Sequence, residues 1–136
     1  MTTGNVPHLV VTAAIVERDG TFLVTRRPRG VHLEGLWEFP GGKCEPGESH
    51  PDCLRREIHE ELGIPIAVNA EIFTVSHAYD DRVVELHFFA CDIGDEPQAL
   101  IGQEIRWVHG DALLDLDFPP ADAALIELLR RSGGRG

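Results

Sequence analysis

The chain has 136 residues, the size of one domain with its own apolar core. Its 12 Lys and Arg residues stand against 23 Asp and Glu residues, which gives a net charge of −11. Such an acidic surface repels a phosphate backbone, so polymeric DNA and RNA are excluded as nonspecific partners. Small phosphorylated ligands stay compatible with the charge if metal ions bridge them to the protein.

Other classes of protein are excluded by short segments of the sequence. Residues 1–8 lack the basic and apolar regions of a signal peptide, and the apolar runs are too short to span a membrane. The odd number of cysteines (Cys44, Cys53 and Cys91) and the missing C-x-x-C spacing argue against a disulfide framework or a thiolate zinc site. The seven histidines are scattered, and we expect surface or core positions for them rather than zinc binding. A reducing cytoplasm is the expected location.

Alternating strands and helices are predicted along the chain. Runs at 9–16 and 22–25 form a hairpin around Asp19-Gly20, followed by a polar loop at 26–33. Further strands are expected at 36–39, where Pro40-Gly41-Gly42 stops the strand, and at 66–79, 83–93 and 105–108. The alternation within 83–93 predicts one buried face. Helices are expected at 51–62 and 121–131, with a frayed tail at 131–136. The sum is an α/β (α+β) fold, in which a mixed sheet carries two helices.

The helix at 51–62 has the clearest signals. Ser49 is a favourable N-cap, and Gly63 followed by Pro65 ends the helix. At 100° per residue the apolar side chains form one stripe, and three carboxylates form the adjoining stripe. The carboxylates are those of Glu57, Glu60 and Glu61. Carboxylates this close repel one another unless a cation lies among them, and Mg²⁺ prefers such oxygen ligands. Arg56 can pair back to Glu48 in the preceding glycine-rich loop.

The same segment resembles the Nudix box, G-x5-E-x7-R-E-U-x-E-E-x-G-U with U aliphatic. It reads Gly42-x5-Glu48-x7-Arg56-Glu57-Ile58-x-Glu60-Glu61-x-Gly63-Ile64 and matches at every position. Segments outside the box, including 36–42 and 117–122, are similar to the MutT-like branch of the family. The resemblance covers about residues 9–130 and implies a single Nudix domain over 1–136.

This resemblance implies an α/β/α sandwich that hydrolyses a nucleoside triphosphate to a monophosphate and pyrophosphate. The metal ligands that it implies for Mg²⁺ or Mn²⁺ are Glu57, Glu60, Glu61 and the carbonyl of Gly41. Arg56 and Glu48 support them from outside. The expected partner is the small nucleotide, without membrane, polymeric nucleic acid or obligate protein partner.

The general base is left open between two carboxylates. Glu57 lies on the metal stripe nearest the loop. Family members also use a Glu ahead of the last strand, where this chain has Ile101 in register and Glu104 as the nearest carboxylate. Glu104 is therefore a candidate fourth metal ligand, with an exposed strand-edge position as the alternative.

The choice of nucleotide depends on residues outside the box. Arg27 resembles the family arginine that reaches the phosphates, and Phe39 can pack on the base or lie in the core. Asp122 occupies a position where the 8-oxo-dGTP branch has Asn; an ionised Asp accepts only, which suits the amine of cytosine. A protonated Asp122 can instead donate a hydrogen bond to oxidised guanine. A third possible role for Asp122 is to cap the last helix.

Several functions therefore stay open. The main prediction is nucleotide-pool sanitation by an 8-oxo-dGTP diphosphatase, a role in DNA repair. The alternative is pyrophosphohydrolysis of CTP, dCTP or a 5-substituted dCTP. A catalytically inactive nucleotide-binding module and a nucleotide-sugar or dinucleotide hydrolase are further alternatives.

Overall fold

The computed structural model describes residues 6–28, 30 and 35–133. The expected loop at 26–33 and the expected tail lie partly outside the described residues. At the C-terminus the last helix continues to Gly133, two residues beyond its predicted end.

Seven strands and two α-helices make up the described chain. The strands are β1 (His8–Arg18), β2 (Thr21–Arg26), β3 (Trp37–Glu38), β4 (Gly41–Lys43), β5 (Ala67–Ala78), β6 (Val83–Asp92) and β7 (Glu104–His109). The helices are α1 (His50–Leu62) and α2 (Ala123–Gly133), and 3₁₀ turns occupy Gly110–Asp115 and Pro120–Asp122. The predicted α+β class is confirmed, as are the six predicted strands and both helices to within a few residues.

The sheet is mixed, with the order β3-β2-β1-β6-β5. Only the β1–β6 pair is parallel among the described pairs; β4 pairs antiparallel with β1, and β7 with β2. Two apolar clusters cover the two faces of the sheet. The cluster on one face includes Leu125 and Leu129 of α2, and the other includes Leu54, Ile58 and Leu62 of α1. This sandwich fixes α1 against the sheet by its apolar stripe and leaves the adjoining stripe of carboxylates at the edge of the interface.

The first hairpin forms as predicted. Glu17 pairs with Phe22 and Arg18 with Thr21, so the loop is Asp19-Gly20, and both residues have positive φ (53° and 79°). Positive φ at both positions is typical of the type I′ turn, whose twist matches that of the strands.

One short strand was not predicted, and one prediction about the strands is wrong. Strand β3 ends before Pro40 as predicted, but residues Gly41–Lys43 then form a further short strand against Val11–Ala13 of β1. Strand β6 is buried on both faces, since Phe88 belongs to the α2-side core and Phe89 to the α1-side core. Central strands with a layer on each face lose the alternation of buried and exposed positions.

The expectation of no disulfide is also overturned. Cys44 follows β4 and Cys53 lies in the first turns of α1, and the structure joins them by a disulfide with a Cα–Cα distance of 5.1 Å. The intervening loop folds back onto the helix, which brings together two cysteines nine residues apart. Cys91 is buried and free.

No helix within residues 6–28, 30 and 35–133 is long and apolar enough to cross a membrane.

Candidate active site

Helix α1 positions the carboxylates of the site. Ser49 is its N-cap, and the Asp52 backbone N–H donates to the Ser49 hydroxyl oxygen at 3.2 Å. Gly63 ends the helix in the left-handed region with φ 69°, and its N–H donates to the His59 carbonyl. These caps satisfy backbone groups that a helix leaves unpaired at its ends, and they fix the rotation of the carboxylate stripe.

Glu57 and Glu61 lie one turn apart and line an open cleft of about 430 Å³. The cleft is also bordered by Arg27, Glu38 and the backbone of β4. Burial, together with a hydrogen bond and repulsion from Glu57, raises the pKa of Glu61 to about 8. Two adjacent carboxylates repel each other when both are ionised. A divalent cation bound between them neutralises this charge and stabilises the site.

Two glycines of β4 permit close contacts at this site, Gly42 with the side chain of Glu57 and Gly41 with the backbone of β1. A Cβ on Gly42 would lie 2.3 Å from the carboxyl carbon of Glu57, and one on Gly41 would lie 1.9 Å from the carbonyl oxygen of Thr12. Contacts this short are sterically impossible, so any larger residue displaces either the strand or the carboxylate. Gly41, the predicted carbonyl ligand, thus lines the cleft beside Glu57 and Glu61.

Arg56 joins the loop to the helix, in agreement with the predicted pairing. Its Nε donates to Glu48 Oε2 at 2.6 Å and its Nη2 to Glu48 Oε1 at 3.0 Å, while Nη2 also reaches the Lys43 carbonyl at 3.0 Å. These hydrogen bonds from Arg56, and one from the backbone N–H of Glu45, hold the pKa of Glu48 down at about 2. Nη1 of Arg56 donates to Glu57 Oε2 at 3.0 Å, so the guanidinium fixes this carboxylate from the side away from Gly42.

Two predicted metal ligands lie outside the cleft. The Glu60 side chain is 56% exposed and accepts from Arg56 Nη1 at 3.2 Å. Glu104 pairs with Arg26 at 2.6 Å and with Arg106 at 2.8 Å, because the β2–β7 register sets Glu104 directly opposite Arg26. The structure therefore does not bring Glu104 to the cleft as predicted, and its neighbours Ile101 and Gln103 line the cleft instead.

A second cavity of about 230 Å³ adjoins the carboxylate cleft. It brings together the three residues predicted for substrate contact, Arg27, Phe39 and Asp122. Phe39 is also part of the core, where it stacks on Phe118 at 5.2 Å between ring centroids. Asp122 is 7% exposed, and burial, with repulsion from Glu38, raises its pKa to about 7. The cavity thus combines apolar walls with an acid that holds its proton near neutral pH.

The sequence reasoning missed two residues of this cavity. Glu38 accepts from Arg27 Nε at 3.2 Å and borders both cavities, and burial, opposed by Arg27, raises its pKa. Arg82 lines the second cavity, and its buried Nε has no hydrogen-bond partner among the described residues. Glu38 belongs to the segment 36–42, which resembles the MutT-like branch, so that resemblance could have identified it. Arg82 follows a turn, and no pattern in the sequence marks it.

Comparison with known proteins agrees with this geometry. The model of the NUDIX domain matches residues 11–128. The chain is 39% identical over 118 residues to a CTP pyrophosphohydrolase of Escherichia coli, covering 86% of this chain and 87% of that protein. It is 38% identical over 123 residues to an 8-oxo-dGTP diphosphatase of Haemophilus influenzae, covering 88% and 89%. The solution structure of the E. coli ORF135 protein superposes with a TM-score of 0.82 at 37% identity, covering 93% of this chain and 91% of that one.

The site has a pair of carboxylates on a capped helix, next to a glycine-containing strand and a cavity that an arginine lines. This arrangement is typical of hydrolases that cleave phosphoanhydrides with the help of a metal ion. The chain belongs to the Nudix family, and its similarities place it with the MutT-like hydrolases. The predicted sandwich fold and family are confirmed.

Proposed function

We propose that this protein is a divalent-metal-dependent nucleoside triphosphate pyrophosphohydrolase that releases a nucleoside monophosphate and pyrophosphate. The observation that carries the proposal is the continuity of the two cavities. The Glu57–Glu61 cleft and the cavity of Asp122 share Arg27, Glu38, Gly41 and Gly42 along one wall. A triphosphate can lie against the carboxylate end while its base occupies the apolar end.

The residues of the cleft fit Mg²⁺ or Mn²⁺. Glu57 and Glu61 offer carboxylate oxygens, and a cation between them would relieve the repulsion from Glu57 that, together with burial, raises the pKa of Glu61. In this proposal Glu57, Glu61 and the Gly41 carbonyl hold the metal, with Glu60 as a further ligand at the exposed end. A metal held by these residues would neutralise phosphate charge and lower the pKa of the attacking water.

The protein's own side chains orient the reaction. Arg27 lies at the junction of the two cavities, where a guanidinium suits the phosphate chain. Arg56 holds Oε2 of Glu57 while the carboxyl carbon and Oε1 stay against Gly42. We assign to Glu57 the acceptance of the proton from the attacking water, because Glu57 lines the cleft whereas Glu104 lies outside it. Arg56 and Glu48 act as positioning residues.

For the substrate, we propose 8-oxo-dGTP. The 8-oxo-dGTP diphosphatase relative supports this choice, and so does the raised pKa of Asp122, since a protonated carboxyl can donate to a carbonyl oxygen of the purine. Arg82 provides a second donor whose Nε has no partner among the described residues. Nucleotide-pool sanitation by a single-domain enzyme without an obligate protein partner completes the proposal.

The second candidate is a pyrophosphohydrolase of CTP, dCTP or a 5-substituted dCTP. The observation that favours it is Asp122 itself, which becomes a pure acceptor above its pKa and then suits the exocyclic amine of cytosine. The CTP pyrophosphohydrolase relative supports the same choice.

The experiment is a panel of nucleotides with Mg²⁺, comprising 8-oxo-dGTP, dGTP, CTP, dCTP and 5-methyl-dCTP, ranked by kcat/KM. We expect 8-oxo-dGTP to exceed dGTP by at least about 10-fold; equal values refute the sanitation role, and a top rank for a cytosine nucleotide supports the second candidate. Glu61→Gln should lower kcat by at least about 100-fold for every substrate and leave the far-UV spectrum unchanged. The matched control is Glu127→Gln, which alters an exposed pair with Arg130 on α2. Absence of diphosphate hydrolysis in the wild type would favour the inactive binding module.

A further inference from the structure

A group of side chains outside both cavities has the composition of a transition-metal site. One ligand atom each of His50, Glu71 and His87 lie within 4.8 Å of one another. His50 starts α1, Glu71 belongs to β5 and His87 to β6, so three separate elements meet there. None of the three lines the Glu57–Glu61 cleft.

An irregularity in the sheet brings Glu71 to this group. Glu71 pairs with Phe89, Phe73 with Phe88 and Thr74 with His87, so the β5–β6 register shifts between 71 and 73. A bulge of this kind re-aims a side chain, and here it turns the Glu71 carboxylate toward His87 on the neighbouring strand. The hydroxyl of Thr74 donates to the same carboxylate and, with His87, holds the pKa of Glu71 below its usual value.

His87 is held at both ring nitrogens. Its Nδ1 lies 2.8 Å from Glu71 Oε2, and its Nε2 lies 3.3 Å from Glu85 Oε1. One ring nitrogen of His87 therefore faces the ligand cluster, and the other lies against a carboxylate. In zinc sites, a carboxylate at the second nitrogen orients the imidazole in this way. The side chain of His87 is 11% exposed, so this orientation is set by packing as well as by hydrogen bonds.

The geometry points to a second metal site, in which His50, Glu71 and His87 bind Zn²⁺ while Glu85 orients His87. Two imidazoles and one carboxylate with an open fourth position are a common zinc ligand set, unlike the all-oxygen set of the cleft. The rings of His50 and His87 lie 4.3 Å apart between centroids, and His50 is only half-buried, so a rotation of its side chain completes the coordination.

The charges near the group favour a cation overall. The positive end of the α1 dipole at His50 opposes it. The carboxylates of Glu71 and Glu85 supply two negative charges at hydrogen-bond distance from His87, which offsets this term. Bound zinc ties the first turn of α1 to β5 and β6, and therefore stabilises the helix that carries Glu57 and Glu61.

Zinc binding is measured in the full-length Glu57→Gln/Glu61→Gln double variant, so that the cleft does not contribute. The readouts are Zn²⁺ stoichiometry after gel filtration, affinity by competition with a chromophoric chelator, and the thermal midpoint. We expect one Zn²⁺ per chain and a higher midpoint with zinc. Adding His50→Ala or Glu71→Gln should weaken the affinity by at least about 10-fold. The matched control is His59→Ala, an exposed histidine on the same helix.

Two outcomes overturn the proposal. One is a double variant that binds no zinc at micromolar free metal; the other is unchanged affinity after both His50→Ala and Glu71→Gln. His87→Gln adds a further test, and if this buried substitution unfolds the protein, His50→Ala at the half-buried helix start still decides. None of these measurements uses nucleotide hydrolysis, so their result is independent of the proposed enzyme activity.

Discussion

In the proposed function Asp122 links the stability of this protein to its choice of base, and Asp122→Asn tests both. The substitution keeps the shape of the side chain but removes its ionisation and supplies a donor and an acceptor at every pH. Asp122 lies in the cavity with Glu38, Arg27 and Arg82, and its pKa is raised from 3.8 to about 7, first by burial and then by Glu38.

The sign and size of the stability effect follow from this shift. Between pH 3.8 and about 7 the folded protein keeps a proton that the unfolded chain releases, so the free energy of unfolding falls as the pH rises. A shift of roughly three units corresponds to a ceiling of about 4 kcal/mol. The cavity opens to water, which lowers the penalty, so we expect the variant to gain about 1–3 kcal/mol over the wild type between pH 5 and pH 8.5.

The assay compares urea unfolding of wild type and Asp122→Asn at pH 5 and pH 8.5, in chelator. Asp115→Asn is the matched control, because Asp115 is an exposed aspartate in the neighbouring 3₁₀ turn. A difference between wild type and Asp122→Asn that is the same at both pH values would refute the assignment of a retained proton to Asp122.

The same substitution has a catalytic readout. In the wild type, the ratio of kcat/KM for 8-oxo-dGTP to that for dCTP should fall as the pH rises through 7, because Asp122 changes from donor to acceptor. Any pH dependence of steps that the two substrates share cancels in this ratio. The ratio should be independent of pH in Asp122→Asn; a wild-type ratio that is already flat contradicts the role of Asp122 in reading the base.

Two further predictions concern the loop before α1. Gly42→Ala should lower kcat/KM by at least about 10-fold, because its Cβ would meet the Glu57 carboxyl at 2.3 Å, whereas Gly94→Ala, with no atom within 4 Å of its Cβ, should leave activity unchanged. Equal activities would contradict the close approach at Gly42. Reduction of the Cys44–Cys53 disulfide should lower the free energy of unfolding by about 2–3 kcal/mol, the chain-entropy value for so short a loop. Urea curves with and without dithiothreitol measure it, and a Cys44→Ser variant should show no response to the reductant.

The sequence predicts those parts of the site that depend on neighbours along the chain. Helix α1 follows from Ser49, Gly63 and an apolar stripe, all within one segment, and the wheel then places Glu57 and Glu61 on one face. The pairing of Arg56 with Glu48 belongs to the same segment and forms as predicted.

Contacts between distant segments could not be predicted in this way. Glu104 forms an ion pair with Arg26 on a neighbouring strand and lies outside the cleft. That pairing depends on the β2–β7 register. The scattered histidines gave no metal signal, yet His50 and His87 meet because α1 packs on the sheet at the point where β5 bulges. The sequence does not predict a strand at Gly41–Lys43, because glycine is rare in strands; here the missing side chain of Gly42 makes room for Glu57.

The wall shared by the two cavities limits how this enzyme can change. Arg27 and Glu38 border both the carboxylate cleft and the cavity of Asp122, and they are joined by a hydrogen bond of 3.2 Å. A substitution at Glu38 that reshapes the cavity of Asp122 therefore also moves the Arg27 guanidinium, to which the proposed function assigns the phosphates. Base preference and turnover are coupled traits in this scaffold, and a new specificity obtained at Glu38 requires a compensating change at Arg27.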